Sequence, residues 1–229
     1  MIKSFLIYFL PPILIDLLKQ LKRIITIGKK NYDHLDIYSK EKMANILENW
    51  GERNAWIEIQ HIFFSKDSNS KILDIACGTG TVIKLLNTNL KLRNIYGCDI
   101  SKKLIDRAKS KNINSKFLKL CDATNLPYLD SEFDYSYSIG SLEHFSHDGI
   151  VKFLKSCRRV TRKESYHLIP VSRTGKNYGW ITTYQSYFNN SVDWWKDICI
   201  NIFPKENILI IDSSWEDKIS VGKWLILKS

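Results

Sequence analysis

No uninterrupted apolar run in this 229-residue chain reaches the roughly 20 residues that a membrane-spanning helix needs. The most apolar stretch, Phe5 to Leu18, is cut by Pro11, Pro12 and Asp16, so it is not expected to cross a bilayer. Cysteine pairs are missing as well. Cys77, Cys98, Cys121, Cys157 and Cys199 form an odd set without short metal-type spacing, which argues against a disulfide framework. Three of them sit in apolar, strand-like contexts, as reduced thiols of a cytoplasmic protein would. The chain has no internal repeat or low-complexity tract, and no Gly-Lys-Ser/Thr follows its glycine-rich turn, which excludes a phosphate-binding loop. Despite a net charge of +10 there is no recognisable nucleic-acid-binding module, so nucleic acid is not an expected partner.

What is present suits a single α/β domain with an appendage: 44% hydrophobic residues and 12% aromatics supply a core, and the length leaves no room for two full domains. The charge is unevenly spread. Residues 1–30 hold Lys3, Lys19, Lys22, Arg23, Lys29 and Lys30 against Asp16, whereas residues 31–60 are net acidic. This asymmetry points to an anionic surface as a partner of the start of the chain. After the proline pair, Leu14, Leu17, Leu18, Leu21, Ile24 and Ile25 fill one side of a helical wheel and polar or basic residues the other. Residues 1–30 are therefore expected to be an amphipathic segment that contacts the membrane surface through residues 5–27, on its cytoplasmic face. Packing of this helix on the domain or on a second subunit is an alternative, as is a cleaved secretory signal, although no small-x-small cleavage site follows. The oligomeric state is not legible.

Residues 31–229 read as one domain. Met43, Ile46 and Leu47, then Ile57, Ile59, Ile62 and Phe63, fall at helical spacings before the polar turn Ser65 to Ser70, and these helices could cover a cofactor cleft. Strands are predicted at Ile72 to Ala76, Asn94 to Cys98, Ser115 to Leu120, Phe133 to Ile139 and Tyr166 to Val171. Helices are predicted at Val82 to Leu86, Lys102 to Lys109 and Ile150 to Arg159. That alternation predicts a doubly wound α/β sheet, mostly parallel. Asn207 to Ile211 and Val221 to Leu227, about nine residues apart, suit an antiparallel pair instead.

The strand-to-helix turn in KILDIACGTG, Lys71 to Gly80, is the most informative stretch, because glycine permits torsions a Cβ forbids and lets the main chain approach a ligand. An acid, Asp99, ends the second strand 19 residues after Gly80, where a carboxylate can accept both ribose hydroxyls of an adenosine cofactor. A second acid, Asp122, follows the third strand and could accept a hydrogen bond from the adenine amine. The nicotinamide fingerprint is not met: a register begun at alanine (Ala76) lacks its first glycine, and one begun at Gly78 ends on isoleucine (Ile83). Plainer readings exist, with Gly78 and Gly80 merely shaping a tight turn and Asp99 capping the next helix at Ser101.

KILDIACGTG, GCDIS, CDATNLPYLDSEFDYSYSIGSLEHF and the closing strand pair together resemble the class I S-adenosylmethionine-dependent methyltransferases, with four elements in order over about residues 70–171. The resemblance extends to the type found in quinone and surface-polysaccharide biosynthesis. It implies a Rossmann-like, seven-stranded, mostly parallel sheet whose last strand is antiparallel, with S-adenosyl-L-methionine as cofactor. It also implies that Asp74 and the loop of Ala76, Cys77, Gly78 and Gly80 receive the methionine end, Asp99 the ribose, and Asp122 with Ala123 the adenine. Ile100 joins the cofactor-binding set, and Ile139 and Gly140 would line the sulfonium.

A sulfonium methyl is already electrophilic, so an acceptor needs alignment and, for a hydroxyl, loss of its proton. His144 in SLEHF is the candidate base and Glu143 its partner, either orienting or acting; a histidine that merely packs at a helix start is the alternative. SLEHF also resembles the metal-associated Glu-x-x-Glu-His of some quinone O-methyltransferases, but Gly140 occupies its first acidic position, so no metal site is expected. Trp180, Tyr184, Tyr187, Phe188, Trp194 and Trp195 could stack on an acceptor or simply cover the sheet. Arg173, Lys176 and the basic run from Lys152 to Lys163 could meet phosphate or headgroups, or form a solvated face. The expected function is O-methylation of a glycan or lipid-linked glycan precursor. Methylation of a quinone or other small molecule, and a cofactor-binding but inactive interaction protein, are the alternatives.

Overall fold

Ile72–Ile75 (β1) is buried at every position, as a strand covered on both faces must be. Leu73 and Ile75 enter one core cluster, and Ile72 enters a second on the other face. The computed structural model describes residues 33–51 and 56–229. The amphipathic segment of residues 1–30 and its membrane contact through 5–27 lie outside the described residues. Among those described, no helix is long and apolar enough to cross a membrane.

Beside β1 run Ile95–Asp99 (β2), Leu118–Leu120 (β3), Phe133–Ile139 (β4), Thr161–Ser172 (β5), Ile208–Glu216 (β8) and Ser220–Lys228 (β9), in the order β3-β2-β1-β4-β5-β9-β8. The pairs from β3 through β5 are parallel, and β9 is antiparallel to both its neighbours, β5 and β8. A short turn enforces the last reversal, since a parallel return needs a long crossover. Asp217 Oδ1 accepts from the Ile219 and Ser220 amides at 2.8 and 2.6 Å, closing that turn. Strand order reverses between β1 and β4, which opens a crevice beyond their carboxyl ends.

Helices Glu41–Gly51 (α1), Trp56–Phe64 (α2), Thr81–Asn89 (α3), Lys102–Ser110 (α4) and His147–Val160 (α5) cover the sheet. In α5, Ile150, Phe153, Leu154, Cys157 and Val160 recur at helical spacing and are buried. Each contributes roughly 1.5–3 kcal/mol by burial where it is a large apolar side chain. The Ser146 cap, accepting from Gly149 N at 2.8 Å, adds about 1 kcal/mol, so packing fixes where the helix lies and the cap fixes where it begins. The acidic excess of the early segment goes into internal pairs: Glu41 meets Lys103 at 2.7 Å, and Glu48 meets Arg107 at 2.8 Å and Lys111 at 3.0 Å, holding α1 against α4.

Several boundaries differ from the sequence reading. The third strand begins at Leu118, because Asn114 Oδ1 accepts from Lys116 N at 3.1 Å and turns Ser115–Phe117 into a 3-10 helix. The fifth strand starts at Thr161, directly after α5. The aromatic insertion folds into a small hairpin, Trp180–Ile181 (β6) with Tyr187–Phe188 (β7), followed by Val192–Ile200 (α6). Much of the basic run is engaged within the protein. Arg158 lies over the Phe203 ring, Arg159 bonds Asp130 at 2.8 Å and the Tyr128 carbonyl at 2.7 Å, and Arg162 and Lys163 pair with Asp134. Arg173 is held by Glu216 at 2.9 Å.

Candidate active site

After β1 the chain alternates through left-handed torsions, with φ of 59° at Ala76, 54° at Gly78 and 70° at Gly80. Two different demands fall on the glycines. At Gly80 a Cβ would lie 2.5 Å from Ile113 Cδ1 and 2.9 Å from Ala108 Cβ, so side-chain packing forbids one. At Gly78 a Cβ would meet nothing nearer than Leu47 Cδ1 at 3.9 Å, so the space above this peptide is open. Ala76 holds its torsion at a cost of roughly 1–3 kcal/mol, a strain of the kind that gathers at ligand-binding turns.

Asp99, buried at the end of β2, ties the turn to the next helix. Its Oδ2 accepts from Gly78 N at 2.9 Å and its Oδ1 from Ser101 N at 2.8 Å. Burial lifts its carboxyl to about 6, and these amide bonds work in the opposite direction. The plainer expectation that Asp99 supports the helix start is thus met, yet each oxygen keeps a second lone pair for a ribose hydroxyl. Asp74, also buried, accepts from Tyr137 Oη at 2.9 Å, and burial drives its carboxyl well above the usual range. Ile100 is 44% exposed beside Asp99 and borders a cleft of about 810 Å³ shared with Asp36, Ser39, Ser101 and Arg107. Asp122 is exposed and caps the short turn Ala123–Asn125 by accepting from Thr124 N at 2.8 Å. The side chain of Ala123 is buried in the core.

Ile139 ends β4, and Gly140 follows with φ of 64°. The chain then enters the 3-10 turn Leu142–His144. Glu143 is buried, its Oε2 has no hydrogen-bond partner among the described residues, and burial pushes its carboxyl up to about 8. His144 Nδ1 lies 2.8 Å from the Ser186 carbonyl. A carbonyl only accepts, so the neutral imidazole carries its proton on Nδ1 and its basic lone pair on Nε2, 3.7 Å from Glu143 Oε1. No group of three or more His, Cys, Asp or Glu among the described residues is disposed to hold a metal ion.

Three contributors escaped the sequence reading. Tyr137 holds Asp74 from the neighbouring strand. Tyr38, in the 3-10 turn Asp33–Ser39, accepts from Gln185 Nε2 at 3.0 Å through its phenol oxygen, and its carbonyl accepts from Ser101 Oγ at 2.8 Å. Burial, with the Glu143 and Asp99 carboxylates nearby, raises the Tyr38 phenol. The third is Gln185. The alternating tyrosines of YSYS were the available signal for Tyr137; Tyr38 and Gln185 carried none. The rings of the aromatic insertion differ in burial. Trp195 is fully buried, and Trp180, Phe188, Trp194 and Trp195 form a chain of rings at 5.0 Å spacing, whereas Tyr184 is 45% exposed and Tyr187 meets the His144 ring edge-on.

Residues 72–164 match the family model described as a methyltransferase domain. A demethylmenaquinone methyltransferase of Thermotoga maritima is 30% identical over 149 residues, covering 62% of this chain and 64% of that protein. A Bos taurus protein named "Probable tRNA methyltransferase 9B" is 35% identical over 95 residues, covering 42% of this chain and 19% of that protein. The chain thus spans less than two thirds of the length of either relative. Among solved structures, an S-adenosylmethionine-dependent methyltransferase of Methanosarcina mazei has the same fold, with a TM-score of 0.57 at 16% identity over 75% of this chain and 96% of that one. Residues 72–164 thus match a methyltransferase domain, and the fold is that of S-adenosylmethionine-dependent methyltransferases. The site suits S-adenosylmethionine as cofactor, with open space above Gly78 and spare lone pairs on Asp99 at the ends of β1 and β2.

Proposed function

We propose that the chain is a methyltransferase that O-methylates a small or lipid-linked acceptor. When bound, S-adenosylmethionine supplies an electrophilic methyl group, so the protein's own work is positioning and proton handling. Asp74 and the Ala76 to Gly80 loop, Cys77 among them, would hold the methionine end, and Asp99 with Ile100 beside it the ribose. Asp122 and the Ala123 main chain would face the adenine, and Ile139 and Gly140 the sulfonium. His144 Nε2 receives the acceptor proton. The Glu143 carboxyl, 3.7 Å from Nε2, directs an oxygen at the imidazolium as it forms and steadies the new charge. The observation that carries this reading is the pairing, just after β4, of an imidazole held at Nδ1 by the Ser186 carbonyl with a buried carboxyl 3.7 Å from its Nε2.

The acceptor class we put first is a glycan or its lipid-linked precursor, supported by Tyr187 against the candidate base and by the half-exposed Tyr184 in the same hairpin. The closing Ser220 to Trp224 stretch lies inside β9 with Trp224 Nε1 on Glu58 at 2.7 Å, so it serves packing rather than recognition. A quinone-like ring is the second reading, supported by the 30% identity to the menaquinone enzyme. The tRNA methyltransferase relative places RNA beside them as an acceptor to assay. Isotope-labelled methyl donor, incubated with the full-length protein and separate glycolipid, quinone and tRNA fractions, distinguishes the three. Label is expected in glycolipid at an oxygen; label confined to quinone or tRNA replaces the acceptor assignment, and label in none of them contradicts the activity.

A further inference from the structure

Tyr38 stands between the two halves of the site. On the cofactor side its carbonyl receives the Ser101 hydroxyl at 2.8 Å, and Ser101 in turn donates its amide to Asp99. On the acceptor side its phenol oxygen receives Gln185 Nε2 at 3.0 Å. Gln185 is followed by Ser186, whose carbonyl is the acceptor that fixes His144 Nδ1 at 2.8 Å. The turn that carries both residues is stiffened from within. Thr183 Oγ1 donates to the Gln185 carbonyl at 2.9 Å, and the Ser186 hydroxyl exchanges bonds with Thr183 at 3.2 and 3.3 Å. Next to it Lys42 of α1 lies 5.1 Å from the centre of the Tyr184 ring, a second tie between the early segment and the hairpin. A stiff turn moves as a unit, so whatever holds Gln185 also holds the Ser186 carbonyl.

We propose that Tyr38 is a positioning residue that, through Gln185 and Ser186, fixes the tautomer and orientation of the His144 imidazole and links that setting to the cofactor edge at Ser101 and Asp99. The proposal rests on the methyltransferase reading only in calling His144 the base. Tyr38→Phe removes the phenol oxygen and keeps the ring, so it breaks the Gln185 bond with little loss of packing. Without that bond the turn shifts, the Ser186 carbonyl leaves Nδ1, and the imidazole samples both tautomers.

The test combines ¹⁵N NMR of the histidine ring nitrogens with steady-state methyl transfer, on full-length wild type, Tyr38→Phe, Gln185→Ala and the double variant. Wild type is expected to show His144 protonated at Nδ1, and each single variant an averaged pair of tautomers. Turnover is expected to fall roughly tenfold in each single variant, the size of one lost hydrogen bond acting through geometry, with KM for the cofactor little changed. The double variant is expected to be no worse than either single one, because all three break one linkage. An unchanged Nδ1 signature in both single variants, or additive losses in the double, overturns the proposal. If Tyr38→Phe does not fold, Gln185→Ala alone decides by the same signature. A wild-type protein that binds no S-adenosylhomocysteine defeats the methyltransferase reading, while the NMR comparison still judges the linkage.

Discussion

Asp99 and Gly78, 21 residues apart in the chain, are joined by a 2.9 Å hydrogen bond from the glycine amide to the buried carboxylate. With the second bond from Ser101 N, one side chain holds both the cofactor turn and the start of α4. On the proposed function, shape and cofactor binding therefore depend on the same carboxylate.

That double duty predicts a graded response. Asp99→Ala loses two charge-assisted bonds, each worth about 1.5–3 kcal/mol, and should lower the unfolding temperature and weaken S-adenosylhomocysteine binding at least tenfold. Asp99→Asn retains one acceptor but faces the other amide with its own NH₂, and should fall between the two. Thermal unfolding and calorimetry read these effects, and an alanine variant with wild-type affinity removes Asp99 from the site.

Glu143 predicts a pH dependence of stability. Its carboxyl, near 4.5 when unfolded, rises to about 8 in the fold, so between those values the native state binds more protons than the unfolded state. This contribution is complete below about 4.5 and is lost as pH rises through 8. Buried His167, pushed down to about 3, acts in the opposite sense below 6.5, so the clean window is pH 6.5–8. Over that window the melting temperature of wild type should drop relative to Glu143→Gln. A constant difference between the two would show that Glu143 is ionised in the native protein.

Removing the imidazole tests the base. His144→Ala should reduce turnover by about 100-fold to 10,000-fold while leaving cofactor affinity near wild type, since His144 Nδ1 is held by the Ser186 carbonyl of the insertion. A variant that keeps more than a tenth of wild-type turnover assigns the proton transfer elsewhere.

Tyr137→Phe should destabilise the protein by about 1–3 kcal/mol, because Asp74 is left buried without the hydroxyl that satisfies it. Cofactor affinity should fall with it. A change within 0.5 kcal/mol in denaturant unfolding, at the size expected of an inconsequential substitution, would mean that Asp74 finds another donor.

The parts legible in the sequence are those encoded locally. The run Ile72 to Ile75 and the alternation through Phe133 to Ile139 announce strands because burial acts on each residue in turn. The glycine turn and Asp99 are legible because backbone torsion and strand-end placement restrict residue type. The start of β5 was hidden by Arg162 and Lys163, whose exposed side chains look like a loop although the backbone pairs with β4 on one side and with β9 from Glu164 onward on the other. The start of β3 was lost to an asparagine side chain that captured a backbone amide. Tyr38 and Gln185 are 147 residues apart, and no short-range pattern encodes a contact at that separation.

The central claim is that the crevice at the carboxyl edge of β1, β2 and β4 binds S-adenosylmethionine. Isothermal titration of the purified, folded protein with S-adenosylmethionine and with S-adenosylhomocysteine tests it most directly. Saturable heat at one equivalent for both ligands, sharply weakened in Asp99→Ala, is the predicted result. The absence of heat from either ligand would contradict the account.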